Sequence, residues 1–342
     1  MNFPEEEVFL DLLREAGGNP ALLALAMVDL VHHALPAAER SRVKDALLAA
    51  AVPHWCDRAF LAALLETTPQ EGDRLLGHLR ALTVVEPFPA RGEHAVNVHE
   101  ATRFALREHL RTTDAACRKA LSNRALAHVS QSTEAHSRIE ALYHLFATDQ
   151  NAAATACEAL DREFNDAGRP EVRHALALAL EELTAVGWLA GVAQVEAILA
   201  SLQLRNWRGE GAQLEAEARN IVALARGASH LSGVGRAQRL LGEVFQTKGR
   251  LDNSLPAYRE CLAIFEHLAA TDTSNAGWQC DLAVAHNKLG QAFRGMGNED
   301  NAQSSFRHAV DAMKLAIATS PGSTDLRQYL ANLESCLSSD KS

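Results

Sequence analysis

Histidine and cysteine are the side chains of this sequence best suited to catalysis or metal binding, but their spacing forms no recognisable site. The chain has 15 histidines and 6 cysteines among its 342 residues. Zinc sites use ligands at short, fixed spacings, such as Cys-x-x-Cys or His-Glu-x-x-His, and neither pattern occurs. The Gly-x-Ser-x-Gly turn of a serine hydrolase is also missing. We therefore predict no catalytic residues, no metal site and a protein that is not an enzyme.

Phosphate binding has a signature of its own. In the pattern Gly-x-x-x-x-Gly-Lys-Ser/Thr, backbone N–H groups surround the phosphates and the lysine reaches them. None of the lysines in this sequence follows a glycine and precedes a serine or threonine. We therefore expect no nucleotide and no other cofactor.

The composition indicates a mainly α-helical, cytoplasmic protein. The chain has 20 glycines, 10 prolines and only 5% aromatic residues, so the turns and strand residues of a β protein are scarce. The formal charge of −10 disfavours nucleic acid, because neutralising phosphates supplies much of the affinity for it. Scattered cysteines, an acidic N-terminus and the lack of an apolar run of ~20 residues predict reduced thiols and no membrane segment.

The C-terminal third contains one pattern twice, at an offset of 48 residues. The repeated positions are Leu241, Gly242, Phe245 and Tyr258 in the first copy and Leu289, Gly290, Phe293 and Phe306 in the second. The apolar residues recur at helical spacing, and a helical glycine allows a second helix to approach closely. We predict that these residues pack two helical hairpins. The hairpins must stack, since one hairpin alone cannot bury its apolar face.

These spacings resemble the tetratricopeptide repeat (TPR). In that family, Leu-Gly and an aromatic residue mark the first helix of each pair, and a small-aromatic-small pattern marks the second. The 48-residue period is longer than the usual ~34 residues. The resemblance implies a helical solenoid whose first helices line a concave groove for a partner protein.

Polar residues beside the apolar stripe of the two first helices are the candidate binding residues. The predicted partner-binding groove consists of Arg236, Arg239, Glu243, Gln246, Asn287, Lys288, Gln291 and Arg294. Basic and amide groups predominate in this set although the chain is acidic overall. Because charge-assisted hydrogen bonds favour carboxylates, we expect an acidic peptide segment of a partner protein, for example a genomically neighbouring effector. A merely solvated helix face is the alternative.

Residues 36–111 have a different pattern. Two helical segments, 39–51 and 57–66, precede Thr68-Pro69-Gln70-Glu71, which is typical of a helix start. The segments 83–88 and 95–98 then predict a β-hairpin. Three helices followed by a hairpin indicate a winged-helix unit. Acidic and basic residues are about equal in number there, so we expect a structural or partner-binding role, with DNA-binding transcriptional regulation as the alternative.

The order of the parts carries a further resemblance. Gly18-Asn19-Pro20, the winged helix, His99 after the hairpin and the TPR-like helices are similar to the distal part of STAND (NB-ARC-like) signalling ATPases. In that family these parts follow a nucleotide-binding domain, and the histidine contacts the nucleotide. Because the phosphate loop is missing, we expect His99 to close the wing. The sensor arm of a split ATPase is the remaining functional alternative.

Together these patterns predict a mainly α protein, with a small winged-helix unit and its β-hairpin followed by a TPR-like α-solenoid. The predicted parts are an N-terminal helical segment (1–35), the winged helix (36–111), degenerate TPR-like repeats (112–230) and clear repeats with a capping helix (231–338). A separate helical bundle is the alternative for 112–230. The favoured function is a non-enzymatic adaptor, sensor or regulatory subunit that binds another protein.

Overall fold

The structure, a computed structural model, describes residues 16–166 and 169–338. Within them it contains sixteen α-helices and one two-stranded antiparallel sheet, so the predicted mainly α fold with a small hairpin is confirmed. The chain divides into two compact units, residues 1–149 and 150–342. The N-terminal segment predicted to be helical lies partly outside the described residues.

The first unit contains seven described helices and the sheet. Its elements are α1 (Pro20–Val31), α2 (Ala37–Ala50), α3 (Arg58–Leu65), α4 (Pro69–Leu79), β1 (Val85–Pro87), β2 (Val96–Val98), α5 (Glu100–Thr113), α6 (Ala115–Val129) and α7 (Ala135–Thr148). Apolar side chains from α1 to α6 form one continuous core. The helices that follow the hairpin are therefore part of the same folded unit as the winged helix.

The winged-helix order α2, α3, α4, hairpin is present. Thr68 caps α4 by accepting a hydrogen bond from the backbone N–H of Glu71 at 3.3 Å. In the hairpin, Val85 pairs with Val98. Cys56, between α2 and α3, also exchanges two backbone hydrogen bonds with Val96, at 2.7 and 2.8 Å. The sequence does not reveal this third strand contact, because a single bridging residue has no alternating pattern.

A buried arginine joins three helices of the first unit. Arg107 of α5 donates to the carbonyl oxygens of Ala51 and Val52, at 2.8 and 2.6 Å, just after α2 ends. It also donates to the Tyr143 hydroxyl of α7 at 2.7 Å. The last carbonyls of a helix lack partners within the helix, so this guanidinium satisfies groups that would otherwise be buried without hydrogen bonds.

The second unit contains nine described helices. They are α8 (Gln150–Asp166), α9 (Pro170–Ala185), α10 (Gly191–Arg205), α11 (Glu215–Gly227), α12 (Leu231–Thr247), α13 (Leu251–Thr271), α14 (Ala276–Gly295), α15 (Glu299–Thr319) and α16 (Thr324–Ser338). Each packs against the next along most of this series. A kinked segment, Asn206–Glu210, follows α10, and Gly209 within it has a φ of 91°.

The repeated glycines lie at the turns and at the helix contacts of the two hairpins α12–α13 and α14–α15. Gly249 and Gly297 turn the chain between paired helices with φ of 70° and 72°, values that favour glycine. At Gly242 the Tyr258 ring lies where a side chain would project, and at Gly290 the Phe306 ring does so. Both rings are fully buried.

The other repeated positions also lie at these contacts. Leu241, Phe245 and Leu289 are buried, and Phe293 is partly buried against the cluster of Tyr258 and Leu289.

Within the described residues, no helix combines the length and the hydropathy of a membrane-spanning segment.

Candidate protein-interaction face

The predicted groove residues lie on the first helices of the two hairpins, α12 and α14. We call these eight residues the first-helix face; they are Arg236, Arg239, Glu243, Gln246, Asn287, Lys288, Gln291 and Arg294. Arg236 and Asn287 are buried, at 7% and 8% exposure, and the other six are partly exposed. The face is therefore less open to solvent than its polar composition suggests.

Arg236 forms an internal ion pair. Its guanidinium donates to the Glu196 carboxylate of α10 and lies 3.7 Å from Glu158 of α8. His230 also contacts Glu196. Burial alone would lower the pKa of Arg236, but Glu196 and Glu158 outweigh it and raise that pKa. Burial would likewise raise the pKa of Glu196, yet Arg236 and His230 hold it below its usual value. Both groups are therefore charged and compensate each other.

Asp281 of α14 provides a second internal carboxylate. It accepts a hydrogen bond from Arg162 of α8 at 3.1 Å and lies 3.8 Å from Arg239 of α12. Only 8% of the Asp281 side chain is exposed. The pKa of Arg239 is raised because Glu243 and Asp281 outweigh its burial. The chain itself thus supplies the carboxylates that Arg239 faces.

One ion pair has both of its members in the face and joins the two first helices. Lys288 lies 2.8 Å from Glu243, and their side chains are 27% and 20% exposed. Glu243 also accepts a hydrogen bond from the Asn206 side chain at 2.9 Å. An ion pair this close to solvent contributes little stability, so a partner could exchange for one of its members at small cost.

The three amide side chains of the face form hydrogen bonds within the chain. Gln246 accepts from the Tyr258 hydroxyl at 2.9 Å, and Asn287 donates to Tyr329 of α16 at 2.8 Å. Gln291 donates to Asn287 at 3.4 Å.

Arg294 is the last residue of the face. It pairs with Glu299 at 2.9 Å and donates to the carbonyl of Cys336 at 3.0 Å. It thereby ties α14 to α16, as Asn287 does through Tyr329.

The basic side chains of the face are compensated within the chain. Each basic side chain of the face has a carboxylate partner within the chain. The partners are Glu158, Glu196, Asp281, Glu243 and Glu299. The first three could not be predicted from the sequence, because helix contacts between residues 40 to 80 positions apart leave no local signal.

The winged helix presents paired charges on its third helix. Arg74 of α4 pairs with Glu71 at 2.6 Å and with Glu39, and Arg42 pairs with Glu71. Arg80 donates to the carbonyl of His94 at 2.6 Å. Arg42, Arg74 and Arg80 thus have partners within the unit.

The motifs behind the STAND resemblance have local structural roles. Asn19 caps α1 by accepting from the backbone N–H of Ala21 at 2.9 Å, and Pro20 is the first residue of that helix. The backbone N–H of His99 donates to the carbonyl of Val84 at 2.8 Å, and its carbonyl accepts from Arg103. His99 therefore joins the hairpin to α5. Among the described residues, no group of histidine, cysteine, aspartate or glutamate side chains could hold a metal ion.

Comparisons with known proteins identify one repeat. A tetratricopeptide repeat model matches residues 283–312, which span most of α14 and the first part of α15. No curated protein matches the chain. Among solved structures, the chain is similar to a signal transduction ATPase with numerous domains (STAND) that carries a tetratricopeptide repeat sensor, from Pyrococcus horikoshii. The identity is 10% and the TM-score 0.37, over 98% of this chain and 63% of that one. This chain thus contains a tetratricopeptide repeat at residues 283–312, as the spacing of its residues predicts.

Proposed function

We propose that this chain is a non-enzymatic interaction module that binds a partner protein along the first-helix face. The observation that carries the proposal is a pair of stacked hairpins, one of them matching a tetratricopeptide repeat, whose first helices share a partly exposed row of charged and amide groups. Repeats of this kind serve protein interaction in general. A cytoplasmic setting fits this role, since all six cysteines are free thiols.

Burial of part of the first-helix face limits which of its residues a partner can contact. The Arg236–Glu196 pair is almost fully buried, so separating it to admit a partner would be costly. Lys288 and Glu243 are partly exposed, and Gln291 lies one turn from Lys288 on the same helix. A partner carboxylate can replace Glu243 as the acceptor for Lys288. An acidic segment therefore remains the proposed ligand, with its contacts centred on Lys288 and Gln291.

A charge-matched pair of variants tests this proposal. Lys288→Glu reverses a charge on the first-helix face, and Arg259→Glu makes the same type of change at an exposed position on α13. Tagged wild type and variants are used to capture partners from cells that express the protein, with quantification by mass spectrometry. We expect the captured amount of at least one protein to fall about tenfold with Lys288→Glu, as for the loss of a charge-assisted hydrogen bond. The captured amount of the same protein should be unchanged with Arg259→Glu.

Thermal unfolding of both variants by circular dichroism controls for misfolding. The proposal fails if no captured protein distinguishes folded Lys288→Glu from Arg259→Glu.

A further inference from the structure

Three basic side chains converge on one carboxylate where the start of α11 meets the turn between α12 and α13. Glu215, the first residue of α11, accepts from Arg219 at 3.1 Å, from Lys248 at 2.7 Å and from Arg250 at 2.9 Å. We call these four residues the Glu215 cluster. It carries three positive charges and one negative charge, in a chain whose formal charge is −10. None of its members belongs to the first-helix face.

The positive charge of this cluster exceeds its negative charge. Among the residues that the structure describes, Glu215 is the only carboxylate that pairs with any of the three cations. The next acid on α11, Glu217, pairs with Arg205 instead. Asp252, two residues after Arg250, is exposed and lies outside these ion pairs. Because like charges held close together repel each other, the cluster would gain from further negative charge supplied by a ligand.

A buried aromatic ring supports the two arginines of the cluster. Cζ of Arg219 lies 5.2 Å from the centroid of the Phe245 ring, and Cζ of Arg250 lies 4.9 Å from it, within the range of cation–π attraction. The two guanidinium carbons are therefore no more than 10.1 Å apart. Since Phe245 is buried and Glu215 is charged, both supports hold the arginines in place before a ligand arrives, which reduces the entropy lost on binding.

The cations form the outer surface of the cluster. Arg219, Lys248 and Arg250 are exposed, whereas Glu215 is only partly exposed. The hydrogen bond from Lys248, followed by the one from Arg219, lowers the pKa of Glu215 to about 2, so this carboxylate stays charged. Arg219 donates to Oε1 of Glu215 and Arg250 to Oε2, each through one nitrogen. A guanidinium has five N–H donors, so both arginines keep donors for a ligand.

We propose that the Glu215 cluster binds a protein segment that carries two carboxylate side chains. One carboxylate would accept from Arg219 and the other from Arg250 and Lys248. Acidic residues two to four positions apart suit the separation of the arginines, since their Cβ atoms are about 5–7 Å apart. A single phosphate dianion suits the cluster less well. The arginines bind different oxygens of Glu215, so a dianion between them would lie against that carboxylate and be repelled.

Selection from a display library of random dodecapeptides tests this proposal. Wild-type protein is the bait, and the double variant Arg219→Gln, Arg250→Gln removes peptides that bind elsewhere. Enriched sequences should share two acidic residues that are two to four positions apart. The proposal is overturned if no sequence is enriched over this counter-selection, or if the enriched sequences lack such a pair.

Fluorescence anisotropy of the labelled enriched peptide measures the contribution of each cation. Arg219→Gln and Lys248→Gln should each weaken binding about tenfold, as for the loss of a charge-assisted hydrogen bond. Lys248→Gln removes a charge without removing an arginine from the Phe245 ring, so it separates the charge from the ring contact. The exposed Arg307→Gln on α15 is the matched control and should leave the affinity unchanged. Wild-type affinity in Arg219→Gln and Lys248→Gln, both folded by circular dichroism, would overturn the proposal.

Three further ligands test the kind of negative charge. They are the enriched peptide with glutamine in place of both acids, the same peptide with one phosphoserine in place of the pair, and a single-stranded oligonucleotide. The glutamine peptide should bind at least about tenfold more weakly. Tighter binding of the phosphopeptide or the oligonucleotide than of the acidic peptide would overturn the assignment of two carboxylates.

A variant of the first-helix face keeps the two binding proposals distinguishable. Lys288→Gln lies outside the Glu215 cluster and should leave the affinity of the enriched peptide unchanged. Binding lost with Lys288→Gln and retained with Arg219→Gln would place the acidic segment on the first-helix face and overturn the present proposal.

Discussion

Replacing Gly242 with alanine probes the helix contact on which the first clear repeat depends. A Cβ atom at this position would lie 2.7 Å from Cδ1 of the Tyr258 ring and closer still to Cε1. The ring cannot move without disturbing its neighbours, since Tyr258 is fully buried and its hydroxyl donates to Gln246. The added methyl group must therefore displace either the ring or helix α13.

The expected cost follows from three contributions. Overpacking a tight contact costs about 1–3 kcal/mol. Weakening the hydrogen bond from Tyr258 to Gln246 costs about 1 kcal/mol more. Alanine recovers about 1 kcal/mol relative to glycine through its higher helix propensity. We therefore expect Gly242→Ala to lower the free energy of unfolding by about 1–3 kcal/mol.

Gly227→Ala in the same unit is the matched control. Gly227 is the last residue of α11, and nothing lies within 4 Å of the position that a Cβ would occupy. This substitution should be neutral or stabilising, by up to about 1 kcal/mol. Urea unfolding followed by circular dichroism at 222 nm, the usual helical band, measures both variants on the ~1 kcal/mol scale. A Gly242→Ala protein as stable as Gly227→Ala would refute the assigned contact between α12 and α13.

Two further predictions concern buried charge and acid sensitivity. Glu196→Ala leaves Arg236 without its closest partner and should lower the free energy of unfolding in urea by about 3–5 kcal/mol. The control Glu266→Ala, at an exposed position, should change it by no more than about 0.5 kcal/mol. A similarly small loss for Glu196→Ala would contradict the buried ion pair. Burial and the ring of His308 lower the pKa of His286 from 6.5 to about 4. Between these two pH values His286 is protonated in the unfolded chain and neutral in the folded chain. The free energy of unfolding therefore falls as pH drops from 6.5 towards 4. His286→Asn should lose less stability than wild type across that interval; equal losses would contradict this role.

The repeated hairpins were predictable because their signals are local. Each hairpin contains its own helix periodicity, Leu-Gly pair and turn glycine. The sequence of one hairpin therefore indicates the packing contact between Gly242 and Tyr258 without knowledge of the rest of the chain. The winged-helix order was predictable for the same reason. The bridge between Cys56 and Val96 was not, since one residue in extended conformation carries no periodic pattern.

The electrostatics of the candidate face could be predicted only in part. Periodicity places Arg236 and Arg239 outside the apolar stripe of α12, but in the structure Arg236 is buried, at 7% exposure. It could not show that Glu196 and Asp281 approach from α10 and α14, because the stacking of whole helices brings those carboxylates together.

Site-specific photo-crosslinking tests the central claim, that the first-helix face binds a partner protein, most directly. A benzophenone amino acid is placed at Gln291 on α14 and, for comparison, at Arg259 on α13 or Arg307 on α15, two exposed positions on second helices. Irradiation in cells that express the protein should join a partner to the Gln291 derivative and not to the other two. Crosslinks of the same partner at Arg259 or Arg307 with none at Gln291 would contradict the assignment of the face.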